Sequence, residues 1–146
     1  MTEKFILDTD ILLNAYLAKM PYHKQVSEWL ENTINGGHSI LLTVPVMTNF
    51  FEITTSEKMM ENVFSVKEVL EIFTELFRYP TIDIFQSSKT HFMDLWKFLE
   101  DRRSFDSESL EKADLAVAAL SSGATITTCD KKFPRIPFVK IFNPLE

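Results

Sequence analysis

Two aspartates follow a short apolar run near the start of the chain, in the stretch KFILDTDILLN at residues 4–14. Asp8 and Asp10 are separated only by Thr9. The apolar run at residues 5–7 is typical of a buried strand, and a carboxylate in dry surroundings is costly unless it is paired, hydrogen-bonded or bound to a cation. The position of these two side chains therefore raises the question of which group they pair with or bind.

Three more acidic residues belong with this pair: Glu52, Asp114 and Asp130. Glu52 lies on the helix after the second predicted strand, Asp130 follows the predicted strand ATITT, and Asp114 lies in the apolar stripe of the helix before it. In an open parallel α/β sheet, functional groups gather at the carboxyl ends of the strands. We therefore expect Asp8 and these three acids to converge on Mg²⁺ or Mn²⁺, which prefer oxygen ligands.

Each acid also has an ordinary structural explanation. N-capping of the helix that begins with ILLNAYLA is the better single explanation for Asp10, with metal contact or support of a ligand as the second. Glu52 fits an exposed helix position, Asp114 fits a helix face tilted towards water, and Asp130 fits a turn. The metal hypothesis rests on all four predicted ligands together, because each signal alone is modest.

The elements that would position these acids alternate between strands and helices. Predicted strands cover residues 4–7, 39–43, 81–85, 124–128 and 138–142. Predicted helices cover residues 11–18, 22–34, 45–55, 65–78, 89–101 and 108–122, with a polar connection at 105–109. Strands separated by helices favour a parallel sheet covered on both faces.

Composition limits the function classes. The 146 residues are predicted to form one domain, 1–146. The net charge of −6 argues against a protein that grips nucleic acid by charge alone, but not against a nuclease whose divalent cations supply the positive field. The single cysteine, Cys129, excludes an internal disulfide. No apolar run is long enough for a membrane span and no signal peptide is visible, so we expect a cytoplasmic protein.

Four stretches, in order, carry the acids: FILDTDILLN with Asp8, VPVMTNFFEI with Glu52, KADLAVAAL with Asp114, and ITTCDKKFPRI with Asp130. In this order and spacing the chain resembles a PIN-domain ribonuclease, of the kind found as the toxin in VapBC toxin–antitoxin pairs. The resemblance covers nearly the whole chain, although residues 56–105 match only in their helix–strand–helix pattern.

The resemblance implies a three-layer α/β/α domain around a central parallel sheet. It also implies Mg²⁺- or Mn²⁺-dependent cleavage of RNA phosphodiesters by a metal-activated water molecule, a homodimer, and neutralisation by a small antitoxin protein. The predicted catalytic and metal-binding residues are Asp8, Glu52, Asp114 and Asp130, with Glu52 orienting or deprotonating the attacking water. The predicted supporting residues are Thr9, Asp10, Thr128 and Asn49.

Other functions stay open at this point. A haloacid-dehalogenase-like phosphatase would also place D-x-D after its first strand and would use Asp8 as the nucleophile, but it needs a paired-acid motif that TTCDKKF lacks. A receiver-like signalling domain would need a phosphoacceptor at the end of a middle strand, whereas Asp83 lies inside one. A PIN-like binding module without catalytic activity is the third alternative.

Overall fold

The computed structural model describes residues 2–102 and 109–146, which form an α/β fold. Its strands are β1 (Lys4–Leu7), β2 (Ser39–Leu42), β3 (Ile82–Ile84), β4 (Thr125–Thr127) and β5 (Ile141–Phe142). Its helices are α1 (Thr9–Tyr16), α2 (His23–Asn35), α3 (Val44–Thr55), α4 (Val66–Leu76), α5 (Lys89–Asp101) and α6 (Leu110–Ser122).

The strands form one parallel sheet in the order β3-β2-β1-β4-β5. The first strand lies in the middle, where Ile6 is in register with Leu41 of β2 and with Ile126 of β4. Such a central strand must be apolar on both faces, and Ile6 and Leu7 are fully buried. The carboxyl ends of β1 and β4 therefore lie side by side, which brings residue 8 next to residue 128.

The helices cover the sheet in two groups. Helix α1 packs on α2 and α3, α3 packs on α4, and α5 packs on α6. The connections through α1–α4 step from β1 to β2 and β3, and the connection through α5 and α6 returns to β4. Because crossover connections in parallel sheets are right-handed, the return lies on the opposite face. The predicted α/β fold class, with helices on both faces of a parallel sheet, is confirmed.

Local signals explain how α3 and α6 are placed. The Thr43 side chain accepts a hydrogen bond from the backbone N–H of Val46, and Pro45 lies in the first turn of α3, where its missing N–H costs nothing. Gly123 ends α6 in the left-handed conformation, with φ 70° and ψ 21°. In the described part of the chain no helix is both long and apolar enough to cross a membrane.

The predicted strands and helices are present: β1 and α5 have the predicted bounds, α1 and α2 are shifted by one or two residues, α3 begins one residue earlier, and the others are shorter. The predicted N-cap of the first helix was wrong: α1 begins at Thr9, and Asp8 is its cap. The β1 strand therefore passes into α1 without a loop, which places Asp10 inside the first turn. The predicted connection at 105–109 and the start of the last helix at 108 lie largely outside the described residues.

Gly123→Ala should lower the free energy of unfolding by about 1 kcal/mol, because the left-handed backbone strains any residue with a Cβ. A Cβ at this position would meet nothing within 4 Å, so the cost comes from the backbone alone. Gly123→Asn should lose less, since asparagine tolerates this conformation better. Urea unfolding measures both. An alanine variant as stable as the wild type would contradict the assignment.

Candidate functional site

Asp8 is buried at the carboxyl end of β1, with its residue only 8% exposed. Its Oδ1 accepts a hydrogen bond from the backbone N–H of Thr9 at 2.8 Å, and its Oδ2 accepts one from the hydroxyl of Thr128 at 2.8 Å. Its own N–H donates to the carbonyl of Thr127 at 2.9 Å. Burial raises the pKa of the Asp8 carboxyl above its ordinary value, although these hydrogen bonds oppose the shift. The side chain is therefore held in one orientation.

Asp10 turns towards the same strand end from the first turn of α1. Its Oδ2 accepts a hydrogen bond from the backbone N–H of Cys129 at 2.9 Å and lies 3.3 Å from the hydroxyl oxygen of Thr128. Burial and the neighbouring Asp8 raise the pKa of Asp10 to about 7. Its Oδ1 is buried and has no hydrogen-bond partner among the residues of the structure that are described. Asp10 thus keeps an acceptor for a group that binds here.

Asp130 lies beyond β4 and faces the ammonium group of Lys112, which donates a hydrogen bond to its Oδ2. Its Oδ1 accepts from the backbone N–H of Lys132 at 2.9 Å, and its own N–H donates to the hydroxyl of Thr128 at 3.1 Å. The bond from Lys112 holds the pKa of the Asp130 carboxyl below its ordinary value. Asp130 is therefore ionised at neutral pH, and Thr128 links it to the other two aspartates.

Glu111 joins the first turn of α6 to α1 and α3. Its Oε1 accepts a hydrogen bond from the hydroxyl of Thr9 at 2.7 Å, and its Oε2 accepts one from the amide of Asn49 at 3.1 Å. The Asn49 amide also lies 3.3 Å from the hydroxyl oxygen of Thr9. These side chains connect three helices beside Asp8 and hold one more carboxylate at the site.

A cavity of about 380 Å³ opens between these groups. We call it the acidic pocket. Its lining consists of Asp8, Thr9, Asp10, Leu13, Asn49, Ile53, Glu111, Lys112 and Asp130. A larger cavity of about 660 Å³ lies near the amino ends of the strands and includes Trp29, His38 and Phe142. The acidic pocket gathers several carboxylates at the carboxyl ends of parallel strands, where ligands of such sheets bind.

Of the four predicted catalytic acids, the structure places Asp8 and Asp130 at the acidic pocket. Glu52 does not line it and is exposed to solvent. Helix α3 turns Asn49 and Ile53 to the pocket, and Glu52 lies on the flank between this face and water. The expected convergence was therefore wrong for Glu52, because the face of α3 that meets the pocket is the one that carries Asn49 and Ile53.

Asp114 does not line the acidic pocket either. Its Oδ1 lies 2.6 Å from Nε2 of His91 on α5, and its side chain is 15% exposed. At about 100° per residue, Asp114 is turned by about 200° from Lys112, so it faces α5 while Lys112 faces the pocket. The expected convergence was also wrong for Asp114, whose partner comes from a neighbouring helix and not from its own.

The supporting residues Thr9, Asp10, Thr128 and Asn49 all lie at this site, whereas two charged pocket residues, Glu111 and Lys112, are absent from the predicted set. An acid in the first turn of a helix also has an ordinary explanation, its favourable interaction with the helix dipole. The signal for both residues is their place in the first turn of α6, because the first turns of helices lie at the carboxyl ends of the strands in a parallel α/β sheet.

The chemistry of the donors fits a hard divalent cation. Asp8, Asp10 and Asp130 offer carboxylate oxygens, and the buried Oδ1 of Asp10 is an acceptor without a partner in the described chain. As the side chains lie, no group of three His, Cys, Asp or Glu in the described residues could hold a metal ion. In this arrangement the ammonium of Lys112 is bonded to the carboxylate of Asp130. The residue types therefore fit a divalent cation, which would replace Lys112 as the partner of Asp130.

Similarity to known proteins extends over nearly the whole chain. No family model matches it. The chain is 26% identical over 141 residues to ribonuclease VapC33 of Mycobacterium tuberculosis, strain CDC 1551 / Oshkosh, and this region covers 97% of the chain and 98% of that protein. The protein of the same name from strain H37Rv gives the same values.

Two solved structures show the same fold. A chain of the crystal structure of VapBC2 from Rickettsia felis, bound to a DNA fragment from their promoter, aligns with a TM-score of 0.67 and 20% identity, over 96% of this chain and 98% of that one. A chain of FitAcB from Neisseria gonorrhoeae aligns with a TM-score of 0.57 and 15% identity, over 97% of this chain and 98% of that one. The predicted resemblance to VapC-type proteins is confirmed.

The metal-free protein should lose stability as the pH rises from about 4 to about 7. The unfolded chain releases the proton of Asp10 near the ordinary pKa of 3.8, whereas the folded protein keeps it up to about 7. Because the unfolded state then binds fewer protons, the free energy of unfolding falls across this window. Asp10→Asn should reduce the fall and give a higher melting temperature than the wild type at pH 8 in EDTA.

Thermal unfolding at pH 5 and pH 8 measures this difference. Asp83→Asn is the control, because Asp83 is an exposed acid on β3 that does not line the acidic pocket. If the difference in melting temperature between pH 5 and pH 8 is the same in Asp10→Asn as in the wild type, the raised pKa of Asp10 in the folded protein would be contradicted.

Proposed function

We propose that this chain is a divalent-metal-dependent endoribonuclease that acts as the toxin of a toxin–antitoxin pair. The observation that carries the proposal is the acidic pocket itself. Three aspartates meet there at the carboxyl ends of neighbouring parallel strands, joined through the hydroxyl of Thr128. Such a group of carboxylates suits hydrolysis of phosphodiesters, where divalent cations hold the substrate and the attacking water.

The similarities support the same function. The relative from Mycobacterium tuberculosis is named a ribonuclease, and it matches this chain over nearly its full length. The two structures with the same fold are those of VapBC2 and FitAcB. We propose accordingly that the substrate is RNA, that a small antitoxin protein neutralises this chain, and that the active form is a homodimer in the cytoplasm.

In the proposed mechanism, Asp8, Asp10 and Asp130 would hold Mg²⁺ or Mn²⁺. The bound ion would supply the positive charge that activates the attacking water and stabilises the leaving oxygen. Asp8 is fixed by its bonds from Thr9 and Thr128, so its carboxylate needs little reorganisation when a ligand binds. The hydroxyl of Thr128 lies between the oxygens of Asp8 and Asp10 and sets their spacing.

We assign Glu111 the task that the sequence suggested for Glu52. Its carboxylate lines the acidic pocket and is oriented by Thr9 and Asn49. Its Oε2 accepts one bond from Asn49 and has a further lone pair, so Glu111 can also accept a hydrogen bond from a water molecule. We infer that Glu111 orients or deprotonates the attacking water. Asp114 is assigned a structural role through its contact with His91.

Asp8→Asn should abolish Mn²⁺-dependent RNA cleavage and leave the fold intact. The asparagine keeps the oxygen that caps α1 at Thr9 and fills the same volume, but it removes the negative charge that holds the ion. Cleavage of total RNA in Mn²⁺ and in EDTA, with circular dichroism of both proteins, measures the effect. We expect a loss of activity of at least about 100-fold, as for removal of one strong stabilising group in a reactive site.

Glu71→Gln on the exposed face of α4 is the matched control, since it also neutralises one acid. Full cleavage activity in Asp8→Asn would overturn the assignment of the acidic pocket. A wild type without Mn²⁺-dependent cleavage would favour the non-catalytic binding module. A covalent phosphate trapped on Asp8 would favour the phosphatase alternative.

A further inference from the structure

One lysine lies inside the acidic pocket. Lys112 lines it beside Asp8, Asp10 and Asp130, and among the described residues of the lining it is the only cation. Its ammonium donates to Oδ2 of Asp130, and its side chain is 30% exposed. An ion pair on an open surface contributes little, but this pair lies where several carboxylates repel one another. The positive charge of the ammonium therefore reduces the repulsion between the carboxylates of the pocket.

The effect of Lys112 reaches beyond its direct partner. Its charge favours the ionised form of Asp8 as well as that of Asp130. Its ammonium also lies 5.3 Å from the centre of the Phe133 ring, a distance at which a cation is attracted to the face of an aromatic ring. Two attractions thus hold the ammonium on the Asp130 side of the pocket.

We propose that Lys112 is a tethered cation that competes with the divalent metal ion for Asp130 and so sets the metal affinity of the acidic pocket. This inference rests on the proposed function, because it concerns the same site. In the metal-free protein the ammonium takes the place at Asp130 that a metal ion would need. The pocket is therefore partly charge-balanced before any metal arrives.

The competition follows from contact geometry and charge. A carboxylate oxygen that accepts a hydrogen bond from an ammonium group cannot at the same time be a direct ligand of a cation in the same direction. Two positive charges at one carboxylate also repel each other. The flexible four-carbon stem of a lysine allows the ammonium to leave towards water, where it is well hydrated. Metal binding therefore includes the cost of displacing Lys112.

Lys112→Met should bind Mn²⁺ more tightly than the wild type, by about tenfold or more, because the competing charge next to Asp130 is removed. Lys112→Arg keeps the positive charge and should stay within about threefold of the wild type. Lys97→Met removes one exposed lysine from α5, away from the pocket lining, and should leave the affinity unchanged. Electron paramagnetic resonance of free Mn²⁺ during titration measures all four proteins without RNA.

Thermal unfolding in EDTA and in saturating Mn²⁺ gives an independent readout. Lys112→Met should melt below the wild type in EDTA, because Asp130 loses its partner, and Mn²⁺ should raise its melting temperature by more than it raises that of the wild type. If Lys112→Met is unfolded in EDTA, Lys112→Gln, which retains a hydrogen-bond donor to Asp130, takes its place in both measurements.

An affinity for Mn²⁺ in Lys112→Met that equals or falls below that of the wild type would overturn the inference. The outcome is separable from that of the proposed function. Tighter Mn²⁺ binding without any RNA cleavage would support the role of Lys112 and reject the nuclease. RNA cleavage by the wild type, with no gain of affinity in Lys112→Met, would reject the role of Lys112 alone.

Discussion

The burial of carboxylates where β1 and β4 end is the constraint on which the site depends. Asp8 and Asp10 share the hydroxyl of Thr128, and the sheet and helices around them bury Asp8 and half-bury Asp10. Burial raises the pKa of both groups, so the metal-free protein holds charge here only at a cost in stability. If stability alone mattered, apolar or neutral side chains would be favoured at this edge of the sheet.

The strand order of the parallel sheet brings these carboxylates close together. Because β1 and β4 are direct neighbours, the residues that follow them lie side by side, and 120 positions of sequence separate Asp8 from its partner Thr128. The passage from β1 into α1 without a loop then turns Asp10 towards the same edge. The site is thus built from strand ends and first turns of helices, which are among the more rigid parts of an α/β fold.

Sequence alone was sufficient where local patterns determine the structure. The apolar run of β1, the proline in the first turn of α3 and the glycine after α6 predicted their elements. The strand-end rule predicted Asp8 and Asp130 at one site, and the resemblance to VapC-type proteins added Thr128. The shift of the α1 cap from Asp10 to Asp8 also has a local cause, since both are acids at a helix start and sequence does not decide between them.

The rotation of helices could not be predicted in the same way. One residue turns a helix by about 100°, so a small error in the assumed buried face moves a side chain from the pocket to water or to another helix. The stripe that was expected to carry Asp114 is not the buried face of α6: Leu110 and Leu120 are both exposed, whereas alanines supply most of the buried residues. That misplaced stripe assigned Asp114 to the metal, while its contact with His91 depends on the packing of α5 on α6.

We propose that the carboxylates at residues 8, 10 and 130 form one cation site, from which the ammonium of Lys112 withdraws when a metal ion binds. Crystals of the wild type grown with Mn²⁺, with diffraction measured at the manganese absorption edge, would locate the bound ion. We expect an anomalous peak within coordination distance of those three side chains, with the ammonium no longer bonded to Asp130. A peak beside Asp114 and His91, or no peak in the acidic pocket at saturating Mn²⁺, would contradict it.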